Sequence, residues 1–267
     1  TGFLTLTKKS ANTSLTSGNS CYSLAGATYG VYSDAGCSTQ VTTLTTDASG
    51  NAGTVSLNEG TYYYKELTAP SGYALDSTVG SINVTASQTS TVSVTDTPVN
   101  DPVRISINKI DSATGEAAQG GASLEGAEFT VKYYAGFYDA GNLPANATRT
   151  WVIKTKKITS GDKTAYIARL ADDYKVSGDD FYKLGNTAVL PLGTLTVEET
   201  KAPDGYLLDG AYMQAGDSTE QIKGMYLTQI TEDGELAVLS GSNQYSVSDQ
   251  VIRGGVKIQK RDLETKD

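Results

Sequence analysis

Three kinds of ionisable residue recur together in this 267-residue chain: a lysine that closes a short alternating strand (Lys8, Lys109), a glutamate inside a repeated motif (Glu66, Glu199) and an aspartate that closes a later strand (Asp96, Asp249). Side chains alternate across a strand, so parity decides which face each one takes. Leu4 and Leu6 share a face with Lys8, and Ile105 and Ile107 with Lys109; Tyr62 and Tyr64 precede Glu66 at the same parity, as Leu195 and Val197 precede Glu199. Val92 and Val94 lead to Asp96, and Tyr245 and Val247 to Asp249. Each trio is therefore expected to point inward, whereas Lys9 has the opposite parity and should be solvated. Burying an ionised group costs several kcal/mol unless it is paired.

Two readings fit such a trio. One is a buried ion pair with an extra acid, or charges at strand ends that reach water. The other is covalent. Desolvation lowers a lysine pKa and raises that of a carboxylic acid, so a neutral amine can meet a protonated aspartic acid at pH 7. The amine attacks the acid carbon while the glutamate polarises the carbonyl and carries protons to the departing hydroxyl. Water leaves and a Lys-Asp amide remains; proximity supplies the driving geometry, and a dry core disfavours the reverse step. The trio is consumed once, so the chain is not expected to be an enzyme.

The elements that must position these groups form an internal repeat. Tyr64 to Asp76, which contains Glu66-Leu67-Thr68-Ala69-Pro70-Ser71-Gly72-Tyr73, returns as Val197 to Asp209, with Glu199-Thr200-Lys201-Ala202-Pro203-Asp204-Gly205-Tyr206. Ser23-Leu24-Ala25-Gly26-Ala27-Thr28-Tyr29-Gly30-Val31 resembles Ser123-Leu124-Glu125-Gly126-Ala127-Glu128-Phe129-Thr130-Val131. Strand and turn signals alternate throughout, and Asp47-Ala48-Ser49-Gly50-Asn51 reads as a hairpin turn, with too few oxygen ligands for a calcium loop. The expectation is an all-β chain with one domain over 1–99, a stiff Pro98–Pro102 linker, and a second over 100–253. The second is lengthened by an insertion at about 135–191, where Trp151-Val152-Ile153 reads as a strand and Asp179–Lys183 as a helical turn. Residues 254–267 begin the pattern a third time, with Lys260 as a possible crosslinking lysine of a further domain.

Composition narrows the function. A net charge of −9 argues against nucleic acid or anionic lipid, and the Lys154–Lys157 cluster reads as one solvated strand edge. With no histidine, Ser-His-Asp and Cys-His catalysis and most zinc sites fall away; no metal or cofactor is expected. Cys21 and Cys37, the two cysteines, suggest one short-loop disulfide in an oxidising compartment, against two free thiols or a Cys-Gln thioester with Gln40. No apolar run reaches membrane-spanning length. The chain opens directly in a strand pattern, as a segment of something longer would, with signal peptide and wall anchor expected outside it.

The first-strand lysines Lys8 and Lys109, the Leu-x-Gly-Ala-x-aromatic strand, the Glu66 and Glu199 motifs with Ala-Pro-x-Gly-Tyr, and the closing Asp96 and Asp249 resemble the CnaB-type and SpaA-like domains of Gram-positive surface adhesins and pilins. That resemblance implies tandem Greek-key, Ig-like β-sandwiches, a spontaneous Lys8–Asp96 and Lys109–Asp249 isopeptide bond promoted by Glu66 and Glu199, and a cell-wall-attached, extracellular protein. Family members often use asparagine as the acceptor; aspartate here would release water rather than ammonia. The function expected is a tension-bearing stalk whose partners are neighbouring domains of the same surface protein. The alternative is a ligand-binding adhesin module that contacts a host or matrix protein or glycan through the second-domain insertion, with Tyr133, Tyr134, Tyr138, Trp151 and Tyr166 as candidate aromatic anchors. A sorting motif of the Leu-Pro-x-Thr-Gly type is not present, only Leu143-Pro144-Ala145.

Overall fold

The computed structural model describes residues 1–102, 106–115, 118–214, 220, 222–233 and 245–251. The first unit comprises β1 (Gly2–Ser10), a one-turn helix α1 (Thr13–Thr16), β2 (Thr28–Tyr32), β3 (Gln40–Thr45), β4 (Val55–Leu57), β5 (Gly60–Thr68), β6 (Gly80–Val84) and β7 (Thr89–Asp96). Its strands form two sheets, in the orders β4-β1-β7 and β3-β2-β5-β6. Leu4, Leu6 and Val92 from the first sheet pack with Tyr29, Val31, Leu44, Tyr62 and Val84 from the second, a β-sandwich core built from alternate positions of facing strands. The expected parity holds along β1, where Leu4, Leu6 and Lys8 are buried and Lys9 is exposed.

The second unit continues with β8 (Asn100–Pro102), β9 (Ser106–Asp111), β10 (Glu128–Tyr134), β11 (Arg149–Lys154), β12 (Lys156–Ser160), β13 (Lys163–Arg169), β14 (Lys175–Gly178), β15 (Tyr182–Leu184), β16 (Thr187–Pro191), β17 (Gly193–Lys201), β18 (Tyr206–Gln214), β19 (Ile222–Lys223), β20 (Tyr226–Ile230) and β21 (Tyr245–Val251). Two larger sheets, β14-β11-β10-β17-β20 and β12-β13-β9-β21-β18-β19, are accompanied by a small β15-β16-β8 sheet. The stretch between Tyr134 and Leu192 holds strands integral to the sandwich: β11 pairs with β10 as β3 does with β2, and β13 pairs with β9 as β4 does with β1. Trp151 and Ile153 are fully buried, with Phe181 stacked on Trp151 at 5.5 Å.

Three expectations change. Asp179–Lys183 is not a helical turn: Asp180 and Phe181 lie outside regular structure and Tyr182 opens β15, where it pairs with Val189. The Lys154–Lys157 edge contains a buried residue, Thr155, whose hydroxyl donates to Leu124 O at 2.8 Å and accepts from Ala127 N at 3.0 Å. Thr46 makes the same staple in the first unit, with Leu24 O and Ala27 N. Cys21 and Cys37 form no disulfide. Cys21 is buried in the segment after α1, packed with residues of the second unit, and burial pushes its thiol up to about 11. Cys37 sits in the β2–β3 turn at φ 51, where Asp34 accepts from Ser38 N and Thr39 N, so the two thiols belong to separately anchored segments.

The units are joined by more than the linker. Leu15 and Cys21 of the first unit lie in the same apolar cluster as Tyr133, Leu192 and Trp151. Asn19 is buried, and its amide donates to Tyr133 Oη at 2.8 Å and to Leu192 O at 2.9 Å. The Tyr22 hydroxyl donates to Val99 O and accepts from Leu192 N. Gly72, from the Ala-Pro-Ser-Gly-Tyr turn, has φ 83, and a Cβ there would sit 2.6 Å from the Tyr22 ring, which explains why that motif position is glycine.

Candidate functional site

Lys8 lies near the end of β1, and β1 pairs in parallel with β7, so that Lys8 stands opposite Val94 and Ser10 opposite Asp96. A first and a last strand laid side by side bring the lysine and the aspartate to the same end of one sheet. Glu66 reaches them from the other sheet, where β5 pairs with β2 and Glu66 stands opposite Tyr29. The side chains of Lys8, Glu66 and Asp96 are 0, 0 and 1% exposed. Lys8 Nζ donates to Glu66 Oε1 at 2.6 Å and to Tyr29 Oη at 2.5 Å. It also lies 2.5 Å from Asp96 Oδ2, yet that contact lacks hydrogen-bond geometry: among the described residues neither Asp96 oxygen has a hydrogen-bond partner.

The two carboxyls are therefore held differently. Glu66 accepts from the lysine on one oxygen and from the Asp76 backbone N–H on the other, at 2.9 Å, which suits the ionised form. Asp76 ends the repeated motif, so the Ala-Pro-Ser-Gly-Tyr turn folds the chain back to place a donor on the glutamate. Asp96 has no such donors. Burial drives its pKa above the ordinary carboxylate value, the close approach of the Lys8 nitrogen and then its charge pull it down, and the neighbouring Glu66 raises it again, with a net rise. A carboxylic acid inclined to hold its proton thus faces the lysine nitrogen, with a second carboxyl hydrogen-bonded to that nitrogen at 2.6 Å.

The backbone under Lys8 is fixed by the hairpin turn. Lys8 N donates to Gly50 O at 2.7 Å, and Gly50 has φ 79 with its missing Cβ 2.2 Å from Lys8 O. Gly50→Ala should strain the turn and push β1 away, lowering stability by about 1–3 kcal/mol in a thermal melt. An unchanged melting temperature would show that the turn yields instead.

The second unit repeats the lysine-glutamate contact and the strand register. Lys109 Nζ lies 2.8 Å from Glu199 Oε2, both residues buried, and Phe129 stands opposite Glu199 where Tyr29 stands opposite Glu66. β21 pairs in parallel with β9, placing Val247 opposite Lys109 and Asp249 opposite Asp111, the same offset as β7 on β1. The Asp249 side chain and Lys260 lie outside the described residues. Three participants escaped sequence reasoning: Tyr29, the Asp76 N–H and Gly50. Tyr29 shares the apolar face of β2 with Ala27 and Val31, and that parity was the available signal. Among the described residues no group of three or more His, Cys, Asp or Glu is arranged to hold a metal ion, and no helix is long and apolar enough to cross a membrane.

A family model, the SpaA prealbumin-like fold domain, matches residues 4–98 and again 103–223. The chain belongs to this SpaA family. Both SpaA matches begin ahead of the lysine, the first within β1 at residue 4 and the second at residue 103, and take in the glutamate motif. No match was found among curated protein sequences. Among solved structures, the SpaA tandem is similar to the Bacillus anthracis TIE protein, at 23% identity and TM-score 0.52, over 94% of this chain and 34% of that one. The chain thus spans about a third of that protein's length. It is also similar to a C-terminal fragment of the pilus adhesin SpaC from Lactobacillus rhamnosus GG, at 18% identity and TM-score 0.46, over 96% of this chain and 100% of that one.

Proposed function

We propose that this chain is a stalk segment of an extracellular, wall-attached adhesin or pilus-like protein, in which each SpaA unit locks itself with an internal Lys-Asp amide: Lys8–Asp96 in unit 1–99 and Lys109–Asp249 in unit 100–253. The observation that carries the reading is the contact of Lys8 Nζ with Asp96 at 2.5 Å without hydrogen-bond geometry, beside a Glu66 that is hydrogen-bonded on each oxygen, with all three side chains at most 1% exposed. A proton passes from the Lys8 ammonium to Glu66, and Asp96 is protonated. The amine lone pair adds to Asp96 Cγ, Glu66 gives its proton to the departing hydroxyl and then takes the second proton that the nitrogen sheds as the amide forms, so that one water leaves for each amide and Glu66 ends protonated. Partners are the neighbouring domains of the same surface protein.

Burial weighs against the ligand-binding alternative: Tyr133, Tyr134 and Trp151 are core residues, leaving Tyr138 and Tyr166 partly exposed. The test is an intact mass of the purified chain after reduction. A deficit of about 36 Da, two waters, is expected, and Lys8→Ala or Lys109→Ala should each restore about half of it. A chain at its full sequence mass would leave the trios as buried ion clusters.

A further inference from the structure

We infer that the Tyr29 hydroxyl is a positioning group for Lys8, fixing the amine so that its lone pair faces Asp96; the inference rests on the amide-forming reading above. A neutral lysine amine has two N–H bonds and one lone pair. In the first unit two acceptors surround it, Tyr29 Oη at 2.5 Å and Glu66 Oε1 at 2.6 Å. When both N–H bonds are taken by these acceptors, the remaining direction belongs to the lone pair, and the group left on that side is the Asp96 carboxyl at 2.5 Å. Tyr29 is 3% exposed and its ring lies 4.9 Å from the amine, so the hydroxyl has little freedom to turn away. Burial, with the charges of Asp96 and Glu66 next in importance, also holds the phenol well above its ordinary pKa, keeping it a neutral acceptor that does not compete with Glu66 for the proton.

The chain supplies its own reference. Phe129 occupies the equivalent register position, opposite Glu199, and carries no hydroxyl. Removing the hydroxyl from the first unit should therefore slow one amide and leave the other as an internal clock.

The experiment is cell-free synthesis of the full chain, quenched in denaturant at intervals, with the Lys8–Asp96 and Lys109–Asp249 linked peptides quantified by mass spectrometry. Tyr29→Phe should lengthen the half-time of the Lys8–Asp96 link about tenfold, the loss of one hydrogen bond to a charged or reacting group. The Lys109–Asp249 link should keep its rate. Incorporating 3-fluorotyrosine at position 29 should restore the faster rate, which a purely space-filling role would not require. Thermal melts compared between Glu66→Gln and Glu66→Gln/Tyr29→Phe, neither able to form the first link, should nearly coincide. Equal Lys8–Asp96 rates in parent and Tyr29→Phe, equal slowing of both links, or a large melting difference in the Glu66→Gln pair would each overturn the positioning role. A parent chain that forms no Lys8–Asp96 link would instead overturn the amide reading, and this inference with it.

Discussion

Lys8→Ala should be more stable at pH 4 than at pH 7, the reverse of ordinary acid sensitivity, and much less stable than the parent at neutral pH. Two losses combine. The amide would close a loop of 88 residues, and a crosslink of that span contributes about 4–5 kcal/mol by restricting the unfolded chain. The variant also leaves the Asp96 and Glu66 carboxyls buried with neither an amide nor a cation to satisfy them, at about 3–5 kcal/mol. Against a typical stability of about 5–15 kcal/mol, the first unit would be near or below its folding threshold at pH 7.

The pH dependence has a definite sign. Asp96 in the fold already has a pKa above the unfolded value because of burial, and Lys8 is the influence that lowers it. Without Lys8 the folded state holds the Asp96 proton still more tightly than the unfolded state, where the carboxyl titrates near about 3.9. The associated stability is present in full below that pH and is lost as pH rises through the folded pKa. On the amide reading, Asp96 of the parent would have nothing to titrate. Melting temperatures of parent and Lys8→Ala at pH 4 and pH 7 check this; a variant that melts with the parent at pH 7 would refute the crosslink's contribution.

Pulling the chain by its ends should produce the second large effect. With the amide in place, load enters β1, crosses at Lys8 to Asp96 and leaves at the end of β7, so the 87 residues between them carry no tension. Lys8→Ala should therefore add an extension step of about 300 Å that the parent lacks. Lys109→Ala should add one of about 500 Å for the 139 residues between Lys109 and Asp249. Single-molecule force spectroscopy distinguishes the cases directly, and a parent that shows both steps would mean that neither strand pair is bonded.

Much of this was legible from period-2 patterning. Lys8, Glu66 and Asp96 each follow large apolar residues at the same parity, and the sandwich buries all three as that pattern requires. The parts that were not legible depend on partners distant in sequence. Nothing local says that the Asp76 N–H would return to Glu66, because that contact is made by the whole turn between them. Thr155, read with its lysine neighbours, looked like solvated edge. Its equivalence to Thr46 was visible only as an apolar-x-Thr triplet, Leu44-Thr45-Thr46 and Ile153-Lys154-Thr155, and its burial follows from the staple to Leu124 and Ala127. The cysteine pair misled because an even count carries no distance: Cys21 is held by the neighbouring unit and Cys37 by its own turn.

The docking of Tyr22 and Leu15 against the second unit also sets an order of assembly. Leu192, which pairs with the Tyr22 hydroxyl, lies 170 residues downstream, about 10 to 30 s later at ordinary rates of translation. Lys8, Glu66 and Asp96 are all synthesised well before that. The first unit can therefore seal its own bond while its Leu15 face still waits, uncovered, for a neighbour. On the amide reading, each nascent chain would be hardened behind the point of growth before the next block is seated upon it.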